Sequence, residues 1–103
     1  MSVTSNSGTQ ITLAEAQALV KAFRINFPKE IKASFVGINN VNSILQQKGC
    51  IGIRMYYGYD EGLGRLSPVL VGVDASGKDM TNVIVDKLDP CPSQCDPESP
   101  LSK

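Results

Sequence analysis

The spacing of apolar residues changes at Gly49, and this change sets the fold class. Before it, apolar side chains recur every three or four positions; after it, they alternate. Thr12-Leu-Ala-Glu15 has the form of a capping box, in which a hydroxyl and a carboxylate each satisfy an unpaired backbone N–H. Leu13, Ala16, Leu19, Val20, Phe23 and Phe27 then share one helical face, with Glu15, Lys21 and Arg24 away from it, and Pro28 stops the helix. Residues 30–37 predict a short extended piece leading to Gly37. A second helix is expected after it, capped by Asn39 or Asn40, with Val41, Ile44 and Leu45 inward and Gly49 just past its end.

From Cys50 to Tyr59 the period is two. Ile51, Ile53, Met55 and Tyr57 fall on one side, and Gly52, Arg54, Tyr56 and Gly58 on the other. The glycines of 60–65 predict a turn, Leu66 to Asp74 a valine-rich returning strand, Ala75–Lys78 a second turn, and Thr81–Leu88 a third strand. The expected architecture is α+β, with two N-terminal helices packed on one face of a three-stranded antiparallel meander. Residues 1–11 are rich in Ser, Thr, Asn and Gly and are expected to be frayed, 12–88 to form a single domain, and 89–103 an irregular tail holding four of the six prolines. A chain of 103 residues is long enough for one domain and too short for two.

Composition narrows the chemistry. The chain has no histidine, which removes the commonest general base and metal ligand; Ser-His-Asp, Cys-His and zinc-protease sites cannot be built within it. Ten basic and ten acidic residues balance, and Lys29-Glu-Ile-Lys32 is the longest basic cluster, so nucleic acid is not an expected partner. No apolar run approaches the roughly 20 residues needed to span a bilayer, and the first ten residues lack the basic and apolar regions of a signal peptide. A cytoplasmic protein without membrane contact is expected.

Two segments carry chemistry. Cys91-Pro-Ser-Gln-Cys95 can share a metal, close a small disulfide, or do neither; with Cys50 the thiols reach three, one short of a tetrahedral zinc site unless an aspartate or water completes it. Cys50 is more simply a small buried hydrophobe at the start of a strand, following a helix end whose carbonyls oppose a thiolate. Arg54 and Tyr56 lie on the sheet face away from the expected helices, an arginine–aromatic pair of the kind found in binding hot spots. The plainer account is cross-strand packing, with a tyrosine covering Gly72 or a valine. Arg54, Tyr56 and Asp74 could also line an anion or sugar pocket, but no nucleophile–base pair accompanies them. Asp74-Ala-Ser-Gly-Lys-Asp79 fails the calcium-loop pattern and is read as a turn.

The strings Gly49-Cys-Ile-Gly-Ile-Arg-Met-Tyr-Tyr-Gly58, Val71-Gly-Val-Asp-Ala-Ser-Gly-Lys-Asp79 and the Cys-Pro-x-x-Cys tail together resemble a family of small bacterial proteins to which no activity is attached. The resemblance spans about residues 12–95 and implies a free-standing protein. The expected function is a non-enzymatic binding or self-associating domain, a homodimer or a receptor for a protein partner. The alternative is a thiol-based metal or redox site at Cys50, Cys91 and Cys95, with zinc as its candidate ion.

Overall fold

In the computed structural model, which describes residues 2–103, helices and antiparallel strands make the chain α+β. The elements run α1 (Leu13–Asn26), β1 (Ala33–Phe35), α2 (Ile38–Leu45), β2 (Cys50–Tyr56), β3 (Tyr59–Asp60), β4 (Arg65–Leu66), β5 (Val69–Asp74), β6 (Asp79–Val85) and β7 (Asp89–Cys91). They fall into two compact units. The first holds residues 2–8 with Val36–Leu88, and the second Thr9–Phe35 with Asp89–Lys103. The two helices therefore belong to different units.

In the first unit β2, β5 and β6 form an antiparallel sheet in that order, and the short β3–β4 ladder closes the link between β2 and β5. That link is tight. Ser67 N–H donates to Gly58 O at 2.8 Å, and any side chain at 58 would run into the Ser67 carbonyl. Helix α2 packs on this sheet through Ile44, its one fully buried side chain, which meets Leu70 and Val85, with Val36, Cys50, Val83 and Leu88 around them. Gly72 makes the close approach possible: a β-carbon there would lie 3.2 Å from Ile44 Cγ2 and 3.0 Å from Cys50 Sγ.

Two irregularities shape the sheet. Cys50 pairs with Asp74 and Gly52 with Val73, so Ile51 is the extra residue of a bulge. A strict alternation would put Cys50 on the Arg54 side; the bulge reverses it and turns the thiol toward α2. Between β5 and β6 the register jumps, Val71 facing Ile84 and Gly72 facing Met80, so residues 81–83 bow out of the ladder.

The caps of α2 differ from the expected ones. Gly37 is its N-cap with no side-chain bond, while Asn39 and Asn40 lie inside the first turn. The helix ends at Leu45 with Gln46 as its C-cap, and Gly49 (φ +88°) serves the following turn instead.

In the second unit Thr12 and Glu15 form the capping box of α1: Glu15 N–H reaches Thr12 Oγ1 at 3.1 Å and Thr12 N–H reaches Glu15 Oε1 at 3.2 Å. The apolar stripe of this helix is only partly covered. Val20 and Phe23 are half-buried, whereas Leu13, Leu19 and Phe27 are exposed. Arg24, expected to face solvent, is half-buried and donates to Leu101 O at 3.0 Å and Lys103 O at 2.7 Å. The segment expected to be wholly irregular supplies β7, where Ala33 faces Cys91, Ser34 faces Pro90 and Phe35 faces Asp89. A proline is tolerated in a ladder this short and open on its far side. Residues 4–7, expected to be frayed, hold a turn in the first unit, with Ser7 N–H donating to Thr4 O at 3.1 Å.

Candidate functional site

The side chains of Arg54 and Tyr56 are brought together by Asp79. Arg54 faces Val71 across the β2–β5 ladder, Tyr56 faces Val69, and Asp79 faces Val73 from β6 on the other side. Residues directly opposite in an antiparallel ladder project from the same face, so all three stand on the side away from α2. Both outer-strand groups reach over β5 to one carboxylate. Arg54 Nη1 lies 2.6 Å from Asp79 Oδ1, and Tyr56 OH donates to Asp79 Oδ2. Arg54 Nη1 also donates to Gly77 O at 3.3 Å. Beneath them Val71 and Val73 are 4% exposed, while Tyr56 remains 47% exposed.

The bonds set the protonation states. Hydrogen bonding from Tyr56, aided by Arg54, holds the Asp79 carboxyl below its ordinary range. The same bond to Asp79 raises the Tyr56 phenol, and the carboxylate raises the Arg54 guanidinium. Asp79 is thus a committed anion with both oxygens engaged, and Tyr56 holds its proton. Neither is poised for proton transfer near neutral pH. What remains available is recognition: guanidinium N–H donors that Asp79 and Gly77 leave unused, and an aromatic face half in solvent.

Asp74, grouped with Arg54 and Tyr56 on sequence grounds, serves its own turn. Its Oδ1 accepts from Ser76 N–H at 2.9 Å and Lys78 N–H at 3.0 Å. Asp79 takes the place expected of it. The only trace of that in the sequence is a carboxylate opening the third strand, and the cross-strand alignment that gives it meaning depends on the irregular β5–β6 register. Tyr56 does not cover Gly72, whose open side faces α2.

β2 is an edge strand. It pairs with β5 and with no other strand among the described residues. Along it runs a groove of about 390 Å3, walled by Val3, Thr4 and Ser5 opposite Gly52, Ile53 and Arg54.

The cysteines separate. Cys91 and Cys95 are joined in a disulfide with a Cα–Cα distance of 4.8 Å in the second unit. Cys50 is free in the first unit, its thiol donating to Gly52 O at 3.2 Å. Cys91 is buried and Cys95 half-buried, beside a pocket of about 340 Å3 that also touches Lys32, Phe35 and Leu101. Among the described residues no three His, Cys, Asp or Glu side chains cluster as metal ligands would, and no helix is long and apolar enough to cross a membrane.

No family model, curated protein or solved structure matches the chain. The geometry therefore defines only a class: an α+β chain with an antiparallel sheet that keeps one charged and aromatic face and a free strand edge. The particular role rests on that face.

Proposed function

We propose that the chain works by association and not by catalysis, as a small self-associating or partner-binding module whose contact surface is the Arg54–Tyr56 side of the sheet. The observation that carries this is the shared carboxylate: Asp79 fixes both Arg54 and Tyr56 while leaving Tyr56 half in solvent. Immobilising a long side chain on binding costs about 0.5–1.5 kcal/mol, and a side chain already held in place avoids part of that cost. Arginine and tyrosine are the residue types that dominate binding energy at interfaces. A cytoplasmic setting belongs to the same proposal, and protein alkylated at lysis would report whether Cys91 and Cys95 are bonded there.

Light scattering across a wide concentration range, paired with affinity capture on the immobilised chain, tests the reading. Concentration-dependent mass, or a captured partner lost on Arg54→Ala and Tyr56→Ala substitution, is the expected result. A strict monomer that captures nothing would overturn it.

A second reading is favoured by the half-buried Cys95 beside its pocket: a thiol–disulfide exchange site at Cys91 and Cys95. An incoming thiolate would attack Cys95 sulfur, forming a mixed disulfide and releasing Cys91 as thiolate. Zinc binding by the same pair would require the bond to be reduced first. Equilibration with a glutathione series decides it. A disulfide that stays closed at cellular glutathione potentials is structural, and one that opens and closes within that range is an exchange site.

A further inference from the structure

We infer that the second unit is a redox-conditional fold: it is ordered while Cys91 and Cys95 are bonded and unfolds when a dithiol reductant opens the bond, with the first unit unaffected. The inference goes beyond the association proposed above, which concerns the first unit, and is independent of it.

The two units are stabilised by different means. In the first, Ile44, Leu70, Val71, Val73 and Val85 are buried. In the second, Cys91 is the only buried residue among those described, and no side chain of α1 is buried. A unit this small without an apolar core needs a cross-link to stay folded. The Cys91–Cys95 bond is that cross-link, and it falls on the one residue that is buried.

The other contacts of the unit are short or polar. β1 and β7 pair over three residues each, too little for a ladder to stand alone in water. α1 has 14 residues, a length at which an isolated helix is marginal. Arg24 holds the carbonyls of Leu101 and Lys103, and Lys32 Nζ that of Ser102 at 3.3 Å, all in positions open to water. Such bonds replace bonds to solvent and net little.

The bond also sits where its loss is felt. Cys91 lies in β7 opposite Ala33, and its carbonyl accepts from Lys32 N–H at 2.7 Å. For a separation of four residues, losing the cross-link shifts the folding equilibrium of the unit about thirty-fold toward the unfolded side. Cys95 is half-buried, so its sulfur is the one a reductant reaches first. One thiolate of the dithiol attacks it and releases Cys91 as thiolate; the second sulfur then displaces Cys95. The dithiol ends as a disulfide and both cysteines as thiols, two electrons having passed to them. The pocket beside Cys95 is built from α1, β1, β7 and the C-terminal arm, through Val20, Phe35, Cys95 and Leu101, so it exists only while the bond does.

Segment-resolved hydrogen exchange on the full chain, bonded and then reduced with dithiothreitol, is the test. Amides of α1 and β1 should exchange about thirty-fold faster after reduction, and those of β2 and β5 at their former rate. Cys95→Ala, measured without reductant, should reproduce the loss, whereas Cys50→Ala should leave α1 and β1 protected in the bonded chain. Protection of β2 and β5 in each variant shows that the chain has folded. Retained protection of α1 and β1 after reduction or in Cys95→Ala overturns the inference, as does an equal loss in β2 and β5. Failure of Cys91 and Cys95 to bond in an oxidising glutathione buffer overturns it as well. Association at the Arg54–Tyr56 face is read separately, by mass and capture.

Discussion

Tyr56 and Arg54 sit two positions apart on one outer strand and end on the two oxygens of a single carboxylate, Asp79, on the other outer strand. Each side chain is therefore a reporter of the other's position.

The titration of this cluster has a definite sign. Asp79 is depressed by Tyr56 and Arg54, so its contribution to stability is present above the unfolded carboxylate value and is lost as pH falls through the lower folded value. Tyr56 is raised by Asp79, so its contribution is present below the unfolded phenol value and is lost as pH climbs through the higher folded one. Asp79→Asn should remove both contributions, lowering stability across the plateau, flattening its fall at either end, and bringing the Tyr56 phenol back down. Melting temperature against pH, with ultraviolet titration of the tyrosines, measures both. A Tyr56 titration indifferent to the substitution would show that the bond does not exist in solution.

Gly72→Ala should destabilise the first unit by about 1–3 kcal/mol, the usual cost of overpacking. Its new methyl would stand 2.9 Å from Gln47 Nε2, which can swing away, and 3.2 Å from fully buried Ile44, which cannot. In an Ile44→Ala background, which removes the Cγ2 methyl, the same substitution should cost less. Urea unfolding of the single and double variants gives the coupling directly.

Ile44→Ala should cost about 2–5 kcal/mol, because it empties the centre of the cluster joining α2 to the sheet of the first unit. The same substitution at Leu19 on α1, an exposed position, should cost little. Equal effects at the two sites would contradict the burial pattern.

Reducing the Cys91–Cys95 bond should lower the stability of the second unit by about 2 kcal/mol, the loop-closure value for so short a separation. Thiol counting under denaturing conditions should find one free thiol, Cys50, before reduction and three after. Three reactive thiols without reductant would refute the pairing.

Arg24→Ala should free the C-terminus from α1, since its guanidinium holds the carbonyls of Leu101 and Lys103. Carboxypeptidase should then release the last residues several-fold faster, with the helix signal in circular dichroism unchanged.

Features set by neighbours in the chain were legible without a structure. The capping box at Thr12 and Glu15 and the stop before Pro28 follow from groups within four residues of one another, and α1 runs Leu13–Asn26. The switch from helical spacing to alternation marks the start of β2 at Cys50. The Ser-Gly turn between β5 and β6 likewise needs only its own residues, with Gly77 at φ +82°. The expected cap of α2, Asn39 or Asn40, lies inside the first turn, and Gly37 takes the N-cap position with no side-chain bond to mark it in the sequence.

Composition and short-range pattern alone determined the α+β class, the absence of histidine chemistry and the location of the first helix, because each depends on residue identity or on contacts a turn apart. Tertiary structure decided the rest. One bulged residue, Ile51, inverted the facing of Cys50, since side chains alternate with a period of two and a single insertion reverses every position before it. Asp79 became the partner of Arg54 and Tyr56 only once β5 lay between the outer strands, and residues 89–91 became a strand only by pairing with residues 33–35, far back in the chain. Such meetings depend on register and chain return, which no window of neighbouring residues encodes.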